Sequence, residues 1–131
     1  MMAPGSTIEY FLYTGQEQVP RDISHLKVAS SVTEIPAKAF EDFENLLEVI
    51  LQEGVVVIGE WAFWGCRSLM TLRIPSTITQ LGGGVTFECH ALISIELPPN
   101  LQALGFFAFA KCPELRNVAF PSSTEDFGRS I

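Results

Sequence analysis

Three residues in this chain carry plainly nucleophilic side chains: Cys66, Cys89 and Cys112, spaced 23 residues apart. Thiolates attack electrophiles, bind soft metals or pair as disulfides. The spacing suits none of these. No cysteine sits in a CxxC pair, and Phe43 fills the same position one step earlier. Stacked neighbours about 4.8 Å apart fall inside the Cα range of a disulfide, but their side chains point the same way. The cysteines are therefore expected to be buried, reduced ladder residues. His25 and His90 have no partner at zinc spacing, so no metal is expected. Gly82-Gly83-Gly84 lacks the Lys-Ser/Thr that closes a phosphate loop, and no motif places Ser, His and Asp together. The chain reads as non-catalytic and without a cofactor.

Charge narrows the partners. A net charge of −7 argues against a nucleic-acid surface, which needs clustered Lys and Arg, and against an anionic membrane. The acids crowd one stretch, Glu34, Glu41, Asp42, Glu44, Glu48, Glu53 and Glu60, with Lys38 the only base among them. That stretch reads as a solvated face that keeps an apolar fold soluble. The competing reading is a patch for a basic partner or a cation. The spacing and loop glycine of a calcium loop are absent.

The step of 23 also governs the elements that position these residues. Leu46, Leu69, Leu92 and Leu115 share it, as do Val49, Leu72, Ile95 and Val118. A sustained period of this size means stacked supersecondary units. At 131 residues and 47% apolar, the chain has room for one such domain. The regular units begin near residues 35, 58, 81 and 104, after a degenerate unit over 19–34 in which Val28 takes the register of Leu51. The solenoid spans 19–121, between a segment 1–18, in which Tyr10 to Tyr13 caps the start, and a tail 122–131.

Two strands recur in each unit. Val49-Ile50-Leu51 and its mates through Val118-Ala119-Phe120 alternate apolar and variable positions, so one face is buried. The second strand follows the spacing Val55-x-x-Ile58. Between them, Ala39-Phe40, Ala62-Phe63 and Ala108-Phe109 suggest a single helical turn, too short for a full helix. Pro75, Pro98 and Pro121 end the first strand because proline cannot continue a ladder. Gly59, Gly82 and Gly105 share a register with Pro36. Proline locks φ negative, so these glycines indicate close packing rather than a left-handed backbone.

The unit reads Ile-Gly-x-x-Ala-Phe-x-x-Cys-x-x-Leu-x-x-Leu-x-Ile-Pro. It resembles the 23-residue treponeme-type, or BspA-like, leucine-rich repeats of bacterial surface antigens and of large protist and algal families. The resemblance covers about Val19 to Pro121. It implies an α/β repeat solenoid: a right-handed stack with short parallel strands on the concave side and single helical turns or short strands on the other. It also implies protein–protein contact, with a spacer within a longer repeat protein and a surface adhesin as alternatives. Residues 1–15 show no basic region and no long apolar core, so the chain as given is expected inside the cell and not inserted in a membrane. A surface location stays open for a fragment.

Two partner surfaces are expected. The outward residues of the concave strands are Glu48, Ile50, Thr71, Arg73, Ser94, Glu96, Asn117 and Ala119, a mixed strip suited to a protein or peptide or to plain solvation. The second is aromatic: Trp61, Gly84 and Phe107 in one column, Trp64 and Phe87 in the next, with Phe106 alongside. Gly84 is expected to leave a notch between Trp61 and Phe107. The rings either cover a turn edge or form a contact site. Thr86, where Phe40, Phe63 and Phe109 stand elsewhere, marks the irregular unit. Self-association through the open C-terminal end is a further expectation.

Overall fold

The computed structural model describes residues 8–119. In chain order its strands are β1 (Phe11–Tyr13), β2 (His25–Val28), β3 (Glu34–Ile35), β4 (Glu48–Leu51), β5 (Val57–Ile58), β6 (Thr71–Arg73), β7 (Gln80–Leu81), β8 (Ser94–Glu96), β9 (Ala103–Leu104) and β10 (Asn117–Ala119). They wind into a solenoid with two parallel sheets, ordered β1-β2-β4-β6-β8-β10 and β3-β5-β7-β9. The pairings Val49↔Leu72 and Ile58↔Leu81 reproduce the step of 23, and Val28↔Leu51 carries it into the degenerate unit. The expected cap at Tyr10 to Tyr13 is itself partly a strand, with Phe11 paired to Leu26. Phe120, Pro121 and the tail lie outside the described residues.

The core is a set of ladders. Leu46, Leu69 and Leu92 form one, Val49, Leu72 and Ile95 a second, and Ile35, Ile58, Leu81 and Leu104 a third, all buried. Each fully buried aliphatic side chain contributes roughly 1.5–3 kcal/mol, which no single coil obtains alone. Phe40 and Phe63 stack at 5.5 Å. Thr86 interrupts their column yet is fully buried, its hydroxyl donating to the Ala108 carbonyl at 2.9 Å. Val85, also buried, stands where Ala62 and Ala108 stand and restores part of the lost volume.

The third side of each coil is a run of turns, with no helix among the described residues. Two columns explain why the expected helical turn does not form. Lys38, Trp61, Gly84 and Phe107 have φ of 60–62°, and Asp42, Gly65, Glu88 and Lys111 have φ of 58–76°. A left-handed residue stops a right-handed helix. Its neighbouring peptides instead point along the solenoid axis. Nine backbone bonds of 2.7–3.1 Å join coils here, from Lys38 N–H to Glu60 O through Glu88 N–H to Ala110 O, each running from one coil to the next. Gly59, Gly82 and Gly105 keep negative φ. A Cβ there would lie 2.5, 2.4 and 2.2 Å from backbone nitrogen of the preceding coil, so close packing requires glycine, as the register with Pro36 indicated.

Candidate interaction surfaces

Alternation along the strands of the longer sheet turns Val49, Leu72 and Ile95 inward. Glu48, Ile50, Thr71, Arg73, Ser94 and Glu96 therefore share the outer face. Asn117 and Ala119 continue the strip only by register, through their pairing with Ser94 and Glu96. Three residues that sequence reasoning left out join it at the N-terminal end: Tyr10, His25 and Lys27. The pairs His25↔Glu48 and Lys27↔Ile50 put the last two in the strip. The register of Val28 with Leu51 already carried that signal.

The two halves of this face differ. In the N-terminal half the polar groups engage one another. The Tyr10 hydroxyl donates to Glu48 Oε1 at 2.6 Å, which raises the phenol above its ordinary pKa. Lys27 Nζ lies 5.4 Å from the Tyr10 ring centre, and the His25 ring meets Tyr10 edge-on at 5.3 Å. In the other half, β4 and β6 share three register pairs, as do β8 and β10, but β6 and β8 share one, Thr71↔Ser94. Beyond it the ladder opens into a depression of about 530 Å³ bounded by Thr71, Arg73, Ser94 and Glu96 over Leu72 and Ile95. Arg73 and Glu96 are exposed. Among the described residues, the one ion pair is elsewhere, Arg116 with Glu114.

The aromatic side chains gather at the turn corner. Trp61 meets Trp64 at 5.5 Å and Phe87 at 5.6 Å, and Phe87 meets Phe107 at 6.4 Å. Both indoles are half-buried, whereas Phe106 and Phe107 are 72% and 59% exposed. The expected notch at Gly84 does not exist. A Cβ on Gly84 would lie 2.1 Å from Trp61 Cε3, because the Trp61 indole fills the space itself. Trp64 Nε1 donates to Glu88 Oε1 at 3.0 Å, and Lys111 Nζ lies 5.9 Å from the Phe87 ring centre.

The cysteines are unbridged, and they return a bond across the corner. Cys66 donates to Phe40 O at 3.1 Å, Cys89 to Phe63 O at 3.1 Å and Cys112 to Thr86 O at 3.0 Å. The position therefore does more than accept an apolar group: the Cys66 thiol supplies a donor to the Phe40 carbonyl, while the Phe63 and Thr86 carbonyls accept a thiol in addition to the Cys66 and Cys89 backbone N–H. Burial pushes the Cys66 thiol up to about 12 and raises Cys89 and Cys112 as well, so these sulfurs are poor nucleophiles. At the first coil, where no amide of a preceding coil serves, Arg21 donates to Glu41 O at 2.9 Å and covers the Phe43 ring at 5.3 Å. The acidic stretch forms no single patch. Glu34 lies on the shorter sheet, Glu48 on the longer one, and Glu41, Asp42 and Glu60 at the corner.

The BspA type leucine rich repeat region matches residues 19–131 in six copies. A crystal structure of a leucine-rich repeat protein from Bacteroides ovatus superposes with a TM-score of 0.71 at 32% identity, covering 79% of this chain and 27% of that one. A leucine rich cell surface protein from Faecalibacterium prausnitzii gives a TM-score of 0.71 at 27% identity, covering 82% of this chain and 29% of that one. The chain thus spans less than a third of either structure. No curated protein matches it.

Proposed function

This chain belongs to the BspA-type leucine-rich-repeat family, and from that membership we infer that it is a non-catalytic module that binds another protein or peptide across its six-stranded sheet. The observation that carries this reading is the opening between β6 and β8. Solenoids use a continuous sheet face as an extended binding surface. On this face the polar groups of the N-terminal half already engage one another, while Arg73 and Glu96 stand exposed beside a depression. A partner that supplies a carboxylate to Arg73 and a donor to Glu96 would find both unoccupied.

Affinity capture from the source cell tests this with wild type and Arg73→Glu side by side. The variant is expected to lose the wild-type partner while keeping its melting temperature, because Arg73 is exposed. Retention of the same partner by Arg73→Glu would remove the sheet face from consideration.

The share of the solved relatives that this chain covers favours a second reading, a structural or spacer segment of a longer repeat protein. Its similarity to a leucine rich cell surface protein of Faecalibacterium prausnitzii favours a third, a surface adhesin. Detection of the protein on intact cells would select the third. No helix among the described residues is long and apolar enough to cross a membrane.

A further inference from the structure

The step of 23 also sorts the exposed apolar side chains, and one column gathers them. Leu47, Met70 and Ile93 stand immediately before β4, β6 and β8 and are 38%, 48% and 43% exposed. Single exposed apolar residues are ordinary on a protein surface, as Val56 is in the column of Thr33, Thr79 and Gln102. Three in consecutive coils make a continuous ridge along one border of the six-stranded sheet. The buried Leu46, Leu69 and Leu92 beside them already supply the core ladder, so folding does not call for a second apolar row outside it.

The ridge borders the opening between β6 and β8. Met70 N–H donates to Leu47 O at 3.0 Å and Arg116 N–H to Ile93 O at 2.9 Å. Among the described residues no such bond joins Ile93 to Met70. The coils therefore part at the ridge itself, and the depression of about 530 Å³ begins beside these two side chains. Arg67 and Arg73 flank Met70 on its two sides, both exposed, and neither enters an ion pair among the described residues.

We propose that this ridge seats an amphipathic α-helix of a partner protein, laid along the solenoid axis with acidic residues beside its apolar stripe. The proposal names the partner of the sheet face inferred above and rests on that reading. Spacing favours a helix. Coils repeat every ~4.8 Å, which sets the three rungs across about 10 Å. A helix brings residues i, i+3 or i+4 and i+7 to one face, at rises of about 4.5–6 and 10.5 Å. An extended strand along the same axis repeats its side chains every ~6.7 Å and is out of step by the third rung. Charge favours acidic flanks, since carboxylates on either side of the stripe would meet Arg67 and Arg73. The described residues contain no helix, so a second copy of them does not supply this occupant.

Fluorescence anisotropy on the whole chain tests the ridge with three labelled peptides. One is a side-chain-stapled helix with Leu at i, i+3 and i+7 between flanking Glu. The second has flanking Lys, and the third is the Glu sequence broken by prolines. The Glu helix is expected to bind tightest. Met70→Thr should weaken it about fivefold and Arg67→Gln about two- to fivefold. Melting temperatures should not move, because both side chains are exposed. Equal binding of the proline-broken peptide would overturn the helix, and its weakening by Arg73→Gln would leave the sheet-face reading standing. Wild-type binding by Met70→Thr, or no binding by any peptide, would overturn the ridge and leave the sheet face to the capture experiment with Arg73→Glu. Sedimentation that finds self-association abolished by Met70→Thr would also overturn the proposal, by giving the ridge to a second copy.

Discussion

The six-stranded sheet and the turn corner hold their side chains in opposite ways. On the sheet, an ordinary extended backbone presents Glu48, Thr71, Ser94 and Glu96, and almost any residue satisfies that geometry. At the corner, two columns are left-handed in every regular coil, and only Gly65 and Gly84 among their eight members are glycine. A non-glycine residue in that region costs about 1–2 kcal/mol. Polar variety on the sheet is thus weak evidence of use, whereas Trp61 and Phe107 at the corner are maintained against backbone preference. Trp61 recovers the cost by packing on Gly84, Trp64 and Phe87. Phe107 recovers less, being mostly exposed.

The contrast is most easily broken beneath the sheet. Leu72→Ala and Leu92→Ala should each cost about 2–5 kcal/mol through cavities in the buried ladders, read by urea unfolding. A loss well under 1 kcal/mol for both would show that the ladders do not support the sheet. At the corner, Gly105→Ala should cost about 1–3 kcal/mol, since its Cβ would lie 2.2 Å from Gly83 N, and Gly83→Ala should cost less, its Cβ lying 3.2 Å from Phe106 O. Thermal melts that find the two alike would contradict the close approach of coils there.

The thiol bonds offer the next test. Cys66→Ala leaves the Phe40 carbonyl without its donor and should cost about 1–3 kcal/mol. Its pH profile should also change. The buried thiol stays neutral up to about 12, whereas an unfolded chain ionises it near 9.0. Above that pH the unfolded state binds fewer protons, so stability is complete below pH 9 and falls as pH climbs toward 12. Cys66→Ala should shallow that fall; an unchanged alkaline melting curve would place the ionisation elsewhere. The smallest effects should carry opposite signs. Lys38→Gly should raise stability by about 0.5–1 kcal/mol by relieving its left-handed backbone, while Thr71→Ala on the sheet stays within about 0.5 kcal/mol of wild type.

The strands and ladders were legible because they obey one period and one alternation. Val49, Leu72 and Ile95 declare both. The close-packed glycines were legible because Pro36 shares their register. The left-handed columns were harder to see. Each contains a glycine, Gly84 in one and Gly65 in the other, but Lys, Trp and Phe mask the first column and Asp, Glu and Lys the second. The notch at Gly84 was misjudged because a column shows which residues are neighbours and not which way a ring folds. The opening between β6 and β8 has no sequence signature, since Leu72-Arg73-Ile74 and Ile95-Glu96-Leu97 follow the same pattern as their neighbours. The sheet face was legible as a strip, and its one distinctive place was not.

The one-way bonds of the corner have an electrical consequence. In a parallel sheet, amides donate in both directions between strands and their dipoles largely cancel. At the corner, every backbone N–H of the ladder points toward the later coils and every accepting carbonyl toward the earlier ones. Their moments add along the stack, as in an α-helix but with the poles exchanged. The negative pole lies at the first coil, where the Arg21 guanidinium rests on the Glu41 carbonyl. Each added coil lengthens this corner dipole, while bonds elsewhere, such as Gly82 N–H to Ile58 O and Met70 N–H to Leu47 O, run from later coils to earlier ones and oppose it.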